Sequence, residues 1–305
     1  MSGSKHKQFN FNFLRYRYVA GLVSFILMAA SVYTWVSMGS AKYGVDFVGG
    51  AEVVVAFEKS LSSADIRELL DKENIRTATV QEFVEDGKTE FAIRLRAEES
   101  GDVRDKVKVA LSKIQNNSYT VLSEDFVGPV IGEQIRKDGL IAAVLALIVI
   151  LGYVSFRFEW RFAVGAVAAL IHDVVITAGA FLWYGGQINS GVLASLLTII
   201  GYSLNDTIII FDRVRENVNS LLKKSGSKTL PSFPKIINDS INQTLTRSIL
   251  TSLTTLLVVT CLWLFGGGEI VDLAFTLMVG VVVGSYSTTF IASPVVLLFS
   301  KKKKQ

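Results

Sequence analysis

The chain has 305 residues, with 31 Lys+Arg against 27 Asp+Glu, half of its residues hydrophobic and only 19% charged. Soluble domains carry about 25% charged residues, so the shortfall argues against an ordinary cytosolic enzyme, and four prolines argue against a Pro-rich disordered protein. A single cysteine excludes a disulfide framework and any multi-cysteine metal site, and a formal charge of +4 is too mild to make nucleic acid the first partner to consider.

The apolar residues are clustered. A helix that spans a bilayer needs about 20 mainly apolar residues. Tyr18–Met38 supplies the first such stretch, with no charge in 21 positions. Its apolar core is longer than the h-region of a signal peptide, so it is expected to be an uncleaved anchor. Leu140–Phe156 is the second, short but charge-free. Phe162–Tyr184 is the third, interrupted by His172 and Asp173. Ile188–Phe211 is the fourth, interrupted by Asp206. Ser248–Phe265 is the fifth, and Leu273–Phe299 is the sixth, with Pro294 near its end. Six spans predict an integral membrane protein.

Orientation follows from the basic residues near the span ends. The N-terminal tail, the loop with Arg157 and Arg161, the segment from Arg213 to Arg247 and the tail Lys301–Lys304 together hold 17 cations, whereas the opposite short loops, Gly185–Gln187 and Gly266–Asp272, hold none. Both termini are therefore expected in the cytoplasm. The long segment between spans one and two carries 14 cations beside 18 acidic residues. A domain of that size crosses largely regardless of its charge, so this near-balance is consistent with an outer domain on the side opposite the termini. The boundaries are a tail at 1–17, helix 1 at 18–38, the outer domain at 39–137, helices 2–4 at 138–211, a cytoplasmic segment at 212–247, helices 5–6 at 248–299 and a basic tail at 300–305.

The outer domain has a readable pattern. Ala51–Phe57 is short and β-branched, as a strand is. Ser62-Ser63-Ala64-Asp65 matches a capping box, followed by Ile66, Leu69 and Leu70 at helical spacing. Arg76–Val84 reads as a strand, Asp86-Gly87 as a hairpin signal and Thr89–Leu95 as its partner. Asp102–Ile114 returns to helical period, Asn116-Asn117-Ser118 is a turn, and Tyr119–Val127 is a final strand. The order β-α-β-β-α-β is the split, ferredoxin-like arrangement. No His-, Cys- or Ser-centred motif in it suggests catalysis, which leaves a small binding or interface domain. In Tyr43–Ala51, the adjacent Gly49 and Gly50 suit a helix-to-strand turn. A phosphate loop is the competing reading, but no P-loop Lys and no immediate helix follow.

Charges within the spans carry the functional signal. An acidic residue at a span centre costs about 2.5–3.5 kcal/mol, and such residues serve ion or proton pathways. Asp206 lies about five residues from the cytoplasmic end of span four, roughly 7–8 Å deep at 1.5 Å per residue. Arg247 opens span five from the same side and can approach that level. An arginine stays protonated and favours an ionised partner, so a contact that can be made and broken would serve as a proton-binding switch. The alternative is a fixed structural ion pair. His172 and Asp173, about 10 Å away in depth, suit either a proton relay or hydrogen bonding between helices. Glu269 and Asp272 sit at the outer edge, where water is expected to satisfy them. Gly280-Val281-Val282-Val283-Gly284 is a small-xxx-small packing pattern. The segment 212–246 reads as two helices broken at Gly226, Pro231 and Pro234, and Val214, Val218, Leu221 and Leu222 make the face of an interfacial helix.

Several stretches together resemble the SecF family of bacterial protein-export membrane subunits, within the SecD/SecF group. These are Val45-Asp46-Phe47-Val48-Gly49-Gly50, Gly128-Pro129-Val130-Ile131-Gly132, Ile171-His172-Asp173, Gly201–Ile208 continuing through Asp212–Asn217, and Gln243–Ser248. The resemblance covers about Phe13 to Leu298. It implies an RND-like half bundle in a bacterial inner membrane, with the outer domain in the periplasm, and a heterodimer with SecD. It also implies association with the SecYEG channel, with YajC and YidC as further partners, and action on unfolded secreted polypeptide in the lipid membrane. The family's membrane carboxylate maps onto Asp206 and its membrane arginine onto Arg247. Another essential aspartate belongs to SecD, so this chain alone should not hold a complete proton path. A proton crossing about 150 mV supplies roughly 3.5 kcal/mol, which shifts a conformational equilibrium by more than two decades. The segment Ser225–Pro234 is long for the family's loop. No cofactor, metal, nucleic acid or enzymatic activity is implied. Two other classes compete. One is an RND-type exporter of small molecules or lipids, which would carry two six-span halves in one chain. The other is an intramembrane aspartyl protease using Asp173 and Asp206, which would need the two carboxylates within a few Å.

Overall fold

The computed structural model describes residues 10–58, 61–73, 75, 78–85, 88–96, 109–112, 118–225 and 231–300. Six of its helices are long and apolar enough to cross a membrane. The turn at Asp86-Gly87, the break at Gly226, the tail Lys301–Lys304 and most of the helix expected over 102–114 lie outside the described residues.

Helix α1 (Arg17–Ser37) leads through a short turn into α2 (Val45–Val48) and then strand β1 (Gly50–Phe57). Gly49 has φ +80°, a conformation that glycine adopts without the steric cost of a Cβ. This turn swings the chain from helix into sheet, as the sequence indicates. Helix α3 (Ser63–Lys72) starts at the expected capping box. Ser62 Oγ accepts from the Asp65 amide, and the Ser62 amide donates back to the Asp65 carboxylate. These bonds hold the Asp65 carboxyl below its ordinary pKa, the Ser62 backbone amide being the larger cause. Strands β2 (Thr79–Glu85), β3 (Lys88–Arg96) and β4 (Tyr119–Val127) complete a sheet of order β2-β3-β1-β4, with every neighbouring pair antiparallel. A helical segment, α4, is described at 109–112.

Successive side chains of a strand point to opposite faces. Val53, Val55, Phe91, Ile93 and Leu95 pack under Ile66 and Leu70 of α3 and Leu111 of α4. Burying each large side chain contributes about 1.5–3 kcal/mol. The other face carries Glu52, Glu90 and Arg94. It is buried as well, with each of the three under 9% exposed.

Helices α5 (Pro129–Arg157), α6 (Trp160–Trp183), α7 (Ser190–Ser225), α8 (Phe233–Phe265) and α9 (Glu269–Ser287) follow. A π-helical turn (Thr288–Ala292) and a short helix, α10 (Ser293–Leu298), close the chain. Pro129 opens α5, where a missing amide costs nothing. Gly132 packs so closely on α2 that a Cβ would stand 2.9 Å from the Gly49 nitrogen. Helix α6 is the centre of the bundle, 67% of its apolar window being buried, against 6% for α8. Gly280 packs on Ile199 and Gly284 on Ser203, the close approach expected of the glycine pair.

One expectation is corrected. The segment after span four is a continuation of α7 rather than an interfacial helix. Val214 is buried, Val218 and Leu221 pack on the bundle core, and only Leu222 is exposed. The start of α8 runs antiparallel to this extension, burying Ile236, Ile237 and Ile241. Asn217 bonds Ser240 at 2.8 Å, and Arg213 bonds Gln243 at 2.6 Å. These two amphipathic helical segments cover each other's apolar faces, so neither needs a lipid surface.

Candidate functional site

Three carboxylates are buried in the bundle helices: Asp173, Asp206 and Asp272. Their surroundings differ. Asp173 of α6 is fully satisfied. Its Oδ1 lies 2.9 Å from His172 Nδ1, and its Oδ2 accepts from Ser203 Oγ of α7 at 2.6 Å and Ser287 Oγ of α9 at 2.8 Å. The His172 ring stacks on Tyr286, whose hydroxyl donates to the Ala20 carbonyl of α1 at 2.8 Å. His172 Nε2 has no hydrogen-bond partner among the described residues. One acid and its neighbours therefore tie four helices, the interhelical bonding considered for the His-Asp pair. Both Asp173 oxygens are engaged and no hydrogen bond joins it to Asp206, so the two acids do not form a protease-like dyad.

Asp206 lies one residue before Thr207, whose hydroxyl meets Thr288 of the π-helical turn at 3.1 Å. Asp206 lines a cavity of about 20 Å³ together with the hydroxyl residues Thr244, Ser248, Ser285, Thr288 and Thr289 and the apolar Ile210, Ile241 and Leu245. That volume admits about one water. Among the described residues, Asp206 Oδ2 and Ser248 Oγ make no hydrogen bond of ordinary geometry, although the Ser248 hydroxyl stands close enough to the carboxylate to interact with it. Single π turns inside helices recur at functional sites, and this one lines the cavity. Arg247 is adjacent to the wall residue Ser248 but is itself exposed. No ion pair joins it to Asp206 among the described residues. The fixed pair weighed from the sequence is not formed here. The site offers a carboxylate with one oxygen outside any ordinary hydrogen bond, a void of water size and an arginine one residue beyond the wall. Such a group can take up a proton or exchange one partner for another.

Asp272 departs from expectation. It is fully buried rather than water-exposed. Its Oδ1 accepts from Gln81 of β2 at 2.9 Å, and its Oδ2 accepts from Asn189 at 3.2 Å and lies 3.6 Å from Arg94 of β3. Arg94 also binds Glu52, its cross-strand partner on β1, and donates to Gln81 at 2.7 Å. Burial lowers the Arg94 pKa, but the Glu52 and Asp272 charges outweigh it and hold the guanidinium above its ordinary value. The cause is topological. The polar alternation of β1 and β3 suggests a solvent face, and the sheet turns that face onto the bundle. For the Asp206 cavity, the run Ser285-Tyr286-Ser287-Thr288-Thr289 in an otherwise apolar span was the available signal. For the Arg94 cluster, no local signal exists.

Residues 106–302 match the family described as "Protein export membrane protein SecD/SecF, C-terminal". The chain belongs to the SecD/SecF family. The SecD/SecF match includes Asp173, Asp206 and Arg247 and begins after β3. The chain is 38% identical to "Protein translocase subunit SecF" of Thermodesulfovibrio yellowstonii, covering 96% of this chain and 95% of that relative. It is 40% identical to "Protein translocase subunit SecDF" of Brucella abortus over 96% of this chain and 38% of the relative. A crystal structure of SecDF from Thermus, titled a translocon-associated membrane protein, superposes with TM-score 0.82 at 33% identity, covering 95% of this chain and 38% of that one. Within the family, the chain thus spans 95% of this SecF relative and about two fifths of a SecDF.

Proposed function

We propose that this chain is a SecF-type subunit that works with a SecD partner to drive export of unfolded polypeptide through SecYEG, with protons moving inward past Asp206. The observation that carries the reading is the Asp206 carboxylate, buried with one oxygen outside any ordinary hydrogen bond, beside a water-sized cavity. A buried charge without a partner is costly. Taking up a proton, or drawing in Arg247 from beside Ser248, relieves that cost in two different conformations. The cavity walls belong to α7, α8 and α9, so the choice between those conformations bears on helix packing.

The fusion of SecD and SecF in the Brucella relative supports a SecD partner. The nearly unburied helix α8 offers it a face. The sheet order, with α3 between β1 and β2 and α4 between β3 and β4, supports a ferredoxin-like reading of the outer domain. The basic residues at the opposite end support both termini in the cytoplasm and the sheet in the periplasm.

The test is proton-motive-force-dependent export of a secreted protein in cells depleted of the native subunit. Natural chain and Asp206→Asn are compared after both are shown to co-purify with SecD. The natural chain should stimulate export and the variant should not. Normal export by an assembled variant would overturn the reading.

A further inference from the structure

Besides its chain connections to α1 and α5 and the packing of α2 on α5, the sheet domain is bonded to the bundle, among the described residues, around the start of α7 and at the start of α9. Gln187, just before α7, also donates to Thr79 of β2 at 3.3 Å. At the first, the Gly44 amide donates to the Ile188 carbonyl at 2.9 Å, the Ile188 amide donates to the Lys42 carbonyl at 2.8 Å, and Asp46 of α2 accepts from the Ser190 amide at 2.8 Å. This attachment caps the start of α7. At the second, the polar face of the sheet reaches the first turn of α9. Among the described hydrogen bonds and ion pairs, Gln81 and Arg94 supply the bonds from the sheet to α9, both through Asp272. An object held to two helices tilts when one slides against the other.

Helix α9 runs from this second attachment to the Asp206 cavity. Asp272 and Thr288 are separated by 16 residues of continuous helix, about 24 Å. At the far end Ser287 bonds Asp173, Thr288 bonds Thr207, and Ser285, Thr288 and Thr289 wall the cavity. Close packing of Gly280 on Ile199 and Gly284 on Ser203 leaves α9 little room to bend along α7. Packed helices shift as units by about 1–2 Å. A change at the cavity is therefore delivered along α9 to Asp272.

We propose that Arg94 is a positioning residue that joins α9 to the sheet, so that rearrangement at the Asp206 cavity tilts the outer domain. This inference rests on the proton-coupled reading above. Arg94 is suited to the task by its shape. Its three nitrogens point to three elements: Nε to Glu52 on β1, Nη1 to Gln81 on β2 and Nη2 to Asp272 on α9. A guanidinium holds such a fork rigidly, whereas a lysine offers one point charge on a flexible stem. Glu52 lies directly opposite Arg94 in the sheet register and fixes its direction.

The full chain, assembled with its SecD partner in lipid nanodiscs and carrying Cys261→Ser, is spin-labelled at Leu122 on β4 and Phe265 at the end of α8, both exposed. Double electron–electron resonance reads the distance. In the natural background, Asp206→Asn should shift it by about 1–2 Å or more. In the triple variant Glu52→Gln, Arg94→Met, Asp272→Asn, which leaves none of these three positions charged, the shift should vanish while hydrogen-exchange protection of the sheet persists. A triple variant that shifts as the natural chain does would overturn the inference. If the triple variant does not fold, Arg94→Lys decides: a reduced shift supports the joint and a full shift overturns it. A natural chain whose distance ignores Asp206→Asn also overturns it. The export assay then separates the two ideas, because lost export with an unmoved domain leaves the role of Asp206 standing and normal export removes both.

Discussion

Asp272 and Asp206 sit near the two ends of the bundle and are both almost wholly buried, yet they are held in opposite ways. Asp272 has a partner for each oxygen and a guanidinium beside it. Asp206 has an oxygen outside any ordinary hydrogen bond, a void of about 20 Å³ and an arginine that does not touch it. A satisfied buried network resists rearrangement, because each broken bond leaves a group stranded in a poor solvent. An unsatisfied group has less to lose and can change state. On the reading proposed above the contrast separates a joint from a switch, and it can be broken or sharpened by substitution.

The largest effect is expected at the joint. Arg94→Met strands the Glu52 and Asp272 carboxylates and should destabilise the sheet domain by about 3–5 kcal/mol, measured as lost hydrogen-exchange protection in β1 and β3. Adding Glu52→Gln and Asp272→Asn should recover most of that loss. Asp173→Ala comes next. Ser203 and Ser287 lose their acceptor, and the bundle should lose about 1–3 kcal/mol in a detergent thermal melt. A loss as large at Asp206 would erase the contrast.

Ser62→Ala removes a helix cap and should cost about 1 kcal/mol. The cap also sets a pH dependence. The Asp65 pKa is lowered in the folded chain, chiefly by the Ser62 amide. Its contribution is present above the ordinary aspartate value and is lost as pH falls through about 4 toward the lowered value. Ser62→Ala keeps that amide, so the variant that reads the pH dependence is Asp65→Ala: melts of the natural chain and Asp65→Ala should draw together in acid. The smallest stability change is expected for Asp206→Asn. Neutralising an unpaired buried carboxylate should leave the melt unchanged or raise it, while stimulation of export is lost. A large destabilisation there would make Asp206 a structural partner.

Much of this was legible in the chain. The spans declare themselves because no water is present to tolerate charge in the bilayer core. The capping box at Ser62 and Asp65 is a local bond, and the glycine turn at Gly49 is a local conformation, so both can be read from a few residues. Asp206 stands out because an acid among apolar residues has no cheap explanation. What escaped was whatever depends on a second element. The interfacial reading of Val214 and Val218 failed because the apolar face of a helix does not say whether lipid or another helix covers it, and here Ile236 and Ile237 cover it. Asp272 looked like a residue at the water's edge because its partners lie 83 to 191 positions away in sequence.

The sequence by itself determined the membrane class, the six spans and the strand order along the chain, since each rests on hydrophobic periodicity or a local bond. Only the tertiary structure decided which acid is satisfied and which is not. Burial alone does not distinguish Asp272 from Asp206. The difference is made by donors from β2, β3 and the start of α7 reaching one and not the other, and hydrogen bonding acts over a few ångströms in space regardless of separation along the chain.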